Sequence, residues 1–144
     1  MSNVIAGVVR GQLPHLEEHI AQKKAIYERY KEGFKGLPVK MNPFDEENTE
    51  PNFWLSCILL DEDCGVTAMD ILNKLNEGNA EARPIWKPMH MQPLYDGNDF
   101  IYVEDSPVNE DIFARGLCLP SDIKMTEAEQ DYIIDIIRSC FEEK

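Results

Sequence analysis

The segment Arg83-Pro84-Ile85-Trp86-Lys87-Pro88-Met89-His90-Met91-Gln92-Pro93 constrains this chain more than any other. Its three prolines forbid a regular helix, and they bias Arg83, Lys87 and Gln92 towards extended backbone. The expected outcome is a short strand at most, then a stiff loop that displays its polar side chains. The segment is also a basic island: it holds two of fourteen basic residues in a chain of formal charge −13, and no acid falls between Ala82 and Tyr95. Two readings stay open. Loops held on a scaffold are where binding groups tend to sit. Alternatively, this is a proline-pinned connection whose Trp86, Met89 and Met91 fill core.

At 144 residues the chain fits one domain with a real core, and its 43% apolar and 28% charged residues are ordinary for a globular protein. Twenty-seven acids against fourteen bases repel nucleic acid and anionic lipid, so neither is an expected partner. No apolar run approaches the length of a membrane span, and no signal-peptide pattern opens the chain, so a cytoplasmic location is expected. Cys57, Cys64, Cys118 and Cys140 form no C-x-x-C pair. Cys57, Cys118 and Cys140 lie in apolar surroundings and are expected to be buried free thiols, not zinc ligands or disulfides.

Residues 2–35 carry apolar side chains at helical spacing from Ile5 to Phe34, with Ser2 as N-cap and Gly36 as stop. Pro14 interrupts the pattern and predicts a kink, or two helices meeting near Leu13. Val4 to Val9 is apolar on most sides, which predicts burial against something larger. Gly7 and Gly11 add a smooth strip for close backbone approach. Residues 37–52 read as loop, and Phe53–Leu60 as a buried strand. Thr67 with Asp70 opens a helix that turns Ile71, Leu72 and Leu75 inward and ends at Gly78. Ser106-Pro107 starts a short helix with Val108, Ile112 and Phe113 inward, and Leu117–Pro120 is a short strand. The capping box Thr126–Glu129 opens a last helix with Tyr132, Ile133, Ile136, Ile137, Cys140 and Phe141 on one face, Lys144 standing at its negative end. This order predicts an α+β layer: a small sheet covered mainly on one face.

The usual chemical signatures are missing: there is no phosphate loop, no H-E-x-x-H and no nucleophile elbow. His15 and His19, four apart on a helix, lack a third ligand and sit beside Glu17 and Glu18 on a solvated face, so no metal is expected. Asp61, Asp63 and Gly65 hint at a calcium loop, but Leu72 occupies the position of its closing glutamate. Lys23 and Lys24 read as surface lysines, not the buried amine that a Schiff base requires. The basic island remains. Arg83 can fork onto a carboxylate or phosphate, and Lys87 offers a point charge to the same group. His90 can exchange a hydrogen bond with a hydroxyl or keto oxygen, and Trp86 supplies a flat wall. The set suits an anionic, polar small molecule but is not a complete catalytic machine.

Three stretches then carry a family resemblance. The run Glu81-Ala82-Arg83-Pro84-Ile85-Trp86-Lys87-Pro88-Met89-His90-Met91-Gln92-Pro93-Leu94-Tyr95 resembles the late motif of the DegT/DnrJ/StrS sugar-nucleotide aminotransferases. More narrowly, it resembles the branch that aminates UDP-4-keto-6-deoxy-N-acetylhexosamines in bacillosamine and exopolysaccharide pathways. Met1–Gly7 with Arg10-Gly11-Gln12-Leu13 is similar to the helix leading out of that family's large domain. Phe113-Ala114-Arg115-Gly116-Leu117-Cys118-Leu119-Pro120-Ser121 is similar to its closing F-x-R-G-L-C-L-P-S segment.

The resemblance implies the C-terminal small domain of a fold-type-I pyridoxal-phosphate enzyme, with a small antiparallel sheet, covering helices and a long N-terminal helix. Residues 1–144 would form that single domain. The large domain, with its Schiff-base lysine, would be absent, so this chain alone is expected neither to bind the cofactor nor to transaminate. The intact enzyme would be a homodimer moving an amino group from glutamate to C4 of a nucleotide-linked 4-keto sugar. His90 matches the family histidine that reaches the active site, while Arg83, Trp86, Lys87 and Gln92 fall in the same loop as substrate-binding candidates. Pro14 departs from the helix former expected at its position. The competing reading is a stand-alone small-ligand or protein-binding module. The two differ in a visible way: a detached domain leaves its first helix apolar and uncovered, whereas an independent module buries it.

Overall fold

The computed structural model describes residues 2–45, 47–101 and 107–142. Helix α1 (Asn3–Gln12) begins where the Ser2 side chain accepts a hydrogen bond from the Ile5 N–H at 3.3 Å. Pro14 acts as expected. The helix tightens into a 3₁₀ turn over Leu13–His15 and resumes as α2 (Leu16–Gly33). After Gly36, which takes a positive φ of 83°, come β1 (Val39–Met41) and β2 (Cys57–Leu60). Next are α3 (Ala68–Glu77), β3 (Arg83–Pro84), α4 (Val108–Arg115), β4 (Gly116–Cys118) and α5 (Glu127–Glu142). The sheet order is β1-β2-β4-β3, antiparallel throughout. The fold is therefore α+β, as the element order predicts.

One face of the sheet carries the core. Ile58, Leu60 and Leu117 point from β2 and β4 towards Ile71 and Leu75 of α3 and Ile137 of α5, all nearly or fully buried. Each contributes about 1.5–3 kcal/mol of burial. Helix α2 joins them through Tyr30, whose hydroxyl donates to the Pro120 carbonyl at 2.8 Å. It is fastened to α5 by the Gln130 amide on the Ile26 carbonyl (2.7 Å) and by Arg138 on the Gly33 carbonyl (2.8 Å). Both predicted capping boxes form: Thr67 with Asp70, and Thr126 with Glu129.

Several expectations need correction. Residues 37–52 are not all loop, because Val39–Met41 pairs with Ile58–Leu60. The strand read over Phe53–Leu60 begins only at Cys57. Asn52 Oδ1 accepts from the Trp54 N–H at 3.1 Å, and Phe53 takes a left-handed φ of 52°. That turn drives Phe53 inward against Tyr27 and Phe44 and throws Trp54 out. Of the α4 side chains expected to face inward, Val108 and Ile112 are exposed and Phe113 is half-buried; the predicted cap Ser106 lies outside the described residues. In α5, Ile133, Ile137 and Cys140 are buried as expected, with Ile136 and Phe141 packed beside them, but Tyr132 faces solvent, and Gln130 and Ile134 join the inward face; Lys144 lies outside the described residues. Cys57 is half-buried, not buried. Lys23 is half-buried too, its amine donating to the Ser121 carbonyl.

Helix α1 has no buried residue. Val4, Ile5, Val8, Val9, Leu13 and Leu16 are all exposed. Among the described residues, nothing covers the surface that the sequence predicts to be buried.

Candidate functional site

The proline-rich segment crosses the edge of the sheet as predicted: two residues of strand, extended loop, then 3₁₀ turns at Met89–Met91 and Pro93–Tyr95. It is not a core plug, since Trp86, Met89 and Met91 are exposed. Pairing of Arg83 with Cys118 and of Pro84 with Leu117 fixes its start on β4. Close packing fixes the next residue. A Cβ on Gly116 would stand 2.4 Å from the Ile112 carbonyl oxygen and 2.5 Å from Ile85 Cγ1. Only glycine lets the last turn of α4 and the loop close over β4 together.

A cleft of about 650 Å³ opens at this edge, lined by Trp54, Leu55, Glu81, Arg83, Pro84, Trp86, Cys118 and Leu119. Trp54 and Trp86, each 63% exposed, face each other with ring centroids 6.1 Å apart and planes 38° from parallel. Arg83 forks onto the Glu81 carboxylate through Nε (3.0 Å) and Nη2 (2.5 Å). Both partners are exposed, so the pair is weak and an anionic ligand can compete for the guanidinium. The structure thus brings Arg83 and Trp86 together. It adds Trp54 and Glu81, which the sequence reading did not single out.

His90 stands elsewhere. Its ring stacks on Phe100 (centroids 3.7 Å apart, planes 17°), and Nε2 meets Glu110 Oε1 at 2.9 Å. The imidazole is mostly buried, its side chain 15% exposed. Gln92 folds back so that its amide approaches Met89 Sδ at 3.5 Å. Lys87 is exposed and outside the cleft lining. Behind the cleft, Arg115 binds both carboxylate oxygens of Asp111 and the Leu60 carbonyl, tying α4 to β2. The guanidinium's hydrogen bonds hold the Asp111 carboxyl below the ordinary range and raise Arg115 in turn. On the cleft wall, Cys118 lies 3.5 Å from Cys57, sulfur to sulfur. Among the described residues, no group of three or more metal-binding side chains gathers, and His15 and His19 simply stack at 6.1 Å.

The model of the DegT/DnrJ/EryC1/StrS aminotransferase family matches residues 1–138. The chain belongs to that family. It is 41% identical over 143 residues to EpsN of Bacillus subtilis (strain 168), a protein assigned as a pyridoxal phosphate-dependent aminotransferase; the match covers 98% of this chain and 36% of EpsN. It is 26% identical over 141 residues to the GDP-perosamine synthase of Vibrio cholerae, covering 98% of this chain and 38% of that protein. The family fold is seen in Spr1654 of Streptococcus pneumoniae, assigned as a sugar aminotransferase and solved in a pyridoxal-phosphate form. It superposes with a TM-score of 0.85 at 22% identity, over 99% of this chain and 36% of that one. The chain therefore spans about a third of the length of the relatives that it matches.

The family's cofactor chemistry calls for an amine in a pocket that also accepts a phosphate. Lysines line two cavities among the described residues, and neither suits a phosphate: Lys124 shares its cavity of about 430 Å³ with Glu81, Asp122 and Glu129. No lysine lines the Trp54–Trp86 cleft. Lys24 lines a separate cavity of about 740 Å³, but among Glu17, Glu28 and Glu50, whose carboxylates repel phosphate. What the DegT-type chain does offer is an exposed aromatic and guanidinium edge, suited to recognition.

Proposed function

We propose that this chain is the substrate-side small domain of a pyridoxal-phosphate-dependent sugar-nucleotide aminotransferase, residues 1–144 forming that one domain. The observation that carries the reading is the family match over residues 1–138. The uncovered apolar face of α1 supports it, because an independent module would have buried that face. In the whole enzyme, pyridoxal phosphate held by the large domain would supply the amino-transfer chemistry, with glutamate as donor and C4 of a nucleotide-linked 4-keto-6-deoxy sugar as acceptor, for surface-polysaccharide or glycan synthesis. The partner that covers α1 is then the large domain, and the working unit a cytoplasmic homodimer.

The chain's own residues bind and orient. Arg83 exchanges Glu81 for the anionic part of the substrate, and Trp86 with Trp54 gives a planar group a stacking wall. Lys87 adds a point charge at the loop's outer side. Gln92 steadies the loop through Met89 and can turn to a hydroxyl. His90, clamped between Phe100 and Glu110, holds a hydrogen-bonding imidazole in one orientation towards the sugar end. The lysine that would hold the cofactor is not among these residues, so the chain alone is inactive.

The test uses the purified chain with pyridoxal phosphate, glutamate and a UDP-linked 4-keto-6-deoxy-N-acetylhexosamine. No amino sugar is expected by mass spectrometry, while the nucleotide sugar quenches tryptophan emission. Trp86→Ala and Arg83→Ala should each weaken that quenching about tenfold or more. Amino transfer by the chain alone, or quenching indifferent to both substitutions, would overturn the reading.

A further inference from the structure

Cys57 and Cys118 are register partners across β2 and β4. The neighbouring pair, Ser56 and Leu119, is joined by the Leu119 N–H on the Ser56 carbonyl at 2.9 Å. The Cys57 N–H and carbonyl instead turn the other way, to Asn42. Hydrogen-bonded and non-hydrogen-bonded pairs alternate along an antiparallel ladder, so Cys57 and Cys118 form a non-hydrogen-bonded pair, the kind with the closer Cα atoms and side chains. Their sulfurs stand 3.5 Å apart, both thiols free, on the sheet face opposite the core. The Cα spacing of such a pair, about 4.5 Å, falls inside the span that a disulfide bridges, about 4.4–6.8 Å.

We propose that Cys57 and Cys118 form a thiol–disulfide exchange site that takes a low-molecular-weight disulfide of the glutathione class. It becomes an intramolecular cross-strand disulfide on the wall of the Trp54–Trp86 cleft. The Cys118 thiolate attacks one sulfur of the small disulfide, breaking its S–S bond and releasing one thiolate, which takes up a proton. Cys57 gives up its proton and attacks Cys118 Sγ in the mixed disulfide, expelling the second small thiolate. Two protein thiols are oxidised, and one small disulfide is reduced to two thiols.

Two features set the order. Cys118, 7% exposed, borders the cleft, and the half-buried Cys57 stands beside it. The hydrogen bond from Cys57 holds the Cys118 thiol below its ordinary value, and the same bond, with burial, pushes Cys57 up. The Cys140 and Cys64 thiols each approach a backbone carbonyl, of Ile136 and Val66. The inference does not depend on the aminotransferase reading.

The folded chain is incubated with excess oxidised glutathione, quenched in acid, alkylated and peptide-mapped by mass spectrometry. The expected product lacks two hydrogens and joins the Cys57 and Cys118 peptides, with Cys64 and Cys140 alkylated. In Cys57→Ser the reaction should stop at a glutathione adduct on Cys118. Alkylation of both Cys57 and Cys118 in the treated wild-type chain, or a mixed disulfide that persists there, would overturn the proposal. The wild-type map decides the matter even if the variant folds poorly.

Discussion

Gly116→Ala tests how the site is held. The added methyl would meet the Ile112 carbonyl oxygen at 2.4 Å and Ile85 Cγ1 at 2.5 Å. Ile85 can turn away, but the carbonyl belongs to the last turn of α4 and moves only with that helix. Helix α4 is in turn fastened to β2 through Arg115. Backbone strain plays no part, since Gly116 already has an ordinary extended φ of −96°. The cost is overpacking, which runs at about 1–3 kcal/mol, and the immovable carbonyl puts it at the upper end. For a chain of this size a loss of about 2–3 kcal/mol lowers Tm by roughly 4–12 °C. Calorimetry and urea unfolding measure the loss. Trp86, next to Ile85, should report the displaced loop as a shift in emission before unfolding begins. An unchanged Tm with unchanged emission would refute the claim that α4 and the loop close over this glycine.

Other expectations follow from the same contacts. Ile137→Ala, at a fully buried position, should cost about 2–5 kcal/mol in urea unfolding. Val8→Ala, on the uncovered face of α1, should stay within about 0.5 kcal/mol in the isolated chain. Gly7→Ala and Gly11→Ala meet no atom within 4 Å, so each should stabilise α1 by up to about 1 kcal/mol and raise its far-UV helical signal. Asp45 is held below its ordinary value by the Asn48 side chain, Asp111 by Arg115, and Glu129 by the Thr126 backbone N–H. Depressed carboxyls stabilise the fold above their unfolded values, about 4, and that stability is lost as pH falls through the lower folded values. The urea midpoint should therefore drop on acidification below about pH 4, less steeply in Asp111→Asn. An acid limb identical in the variant would contradict the assignment.

Elements that rest on local chemistry were legible from sequence. Ser2, Thr67 and Thr126 cap helices through their own side chains, and Pro14 breaks one through its own ring, so no tertiary knowledge was needed. The three-residue β1 was hidden because its pairing partner lies across the Asn52–Phe53 turn and its flanking prolines argue for loop. That same turn hid Trp54. Alternation through the run 53–60 assigns Trp54 to the same face as Ile58 and Leu60, and only the left-handed φ at Phe53 reverses it. The inward face of α5 differs from its sequence pattern only at its margin: Tyr132 is apolar enough to fit the stripe yet faces solvent, while Gln130 is buried for a hydrogen bond to Ile26 that sequence does not reveal. The candidate site was half legible. Arg83 and Trp86 share a loop and meet in one cleft, whereas His90, a few residues on, is carried by the 3₁₀ turn at Met89–Met91 to Glu110 and Phe100.

The most direct test of the central claim is cofactor retention. Pyridoxal phosphate is added to the purified chain, and the absorbance of a covalently held cofactor is followed through dialysis, with borohydride reduction and peptide mapping to locate any adduct. A chain that contributes only the substrate side should return to its cofactor-free spectrum. A band that survives dialysis and is trapped on one lysine, Lys87 being the first to examine, would contradict the account by showing that these residues carry a cofactor seat of their own.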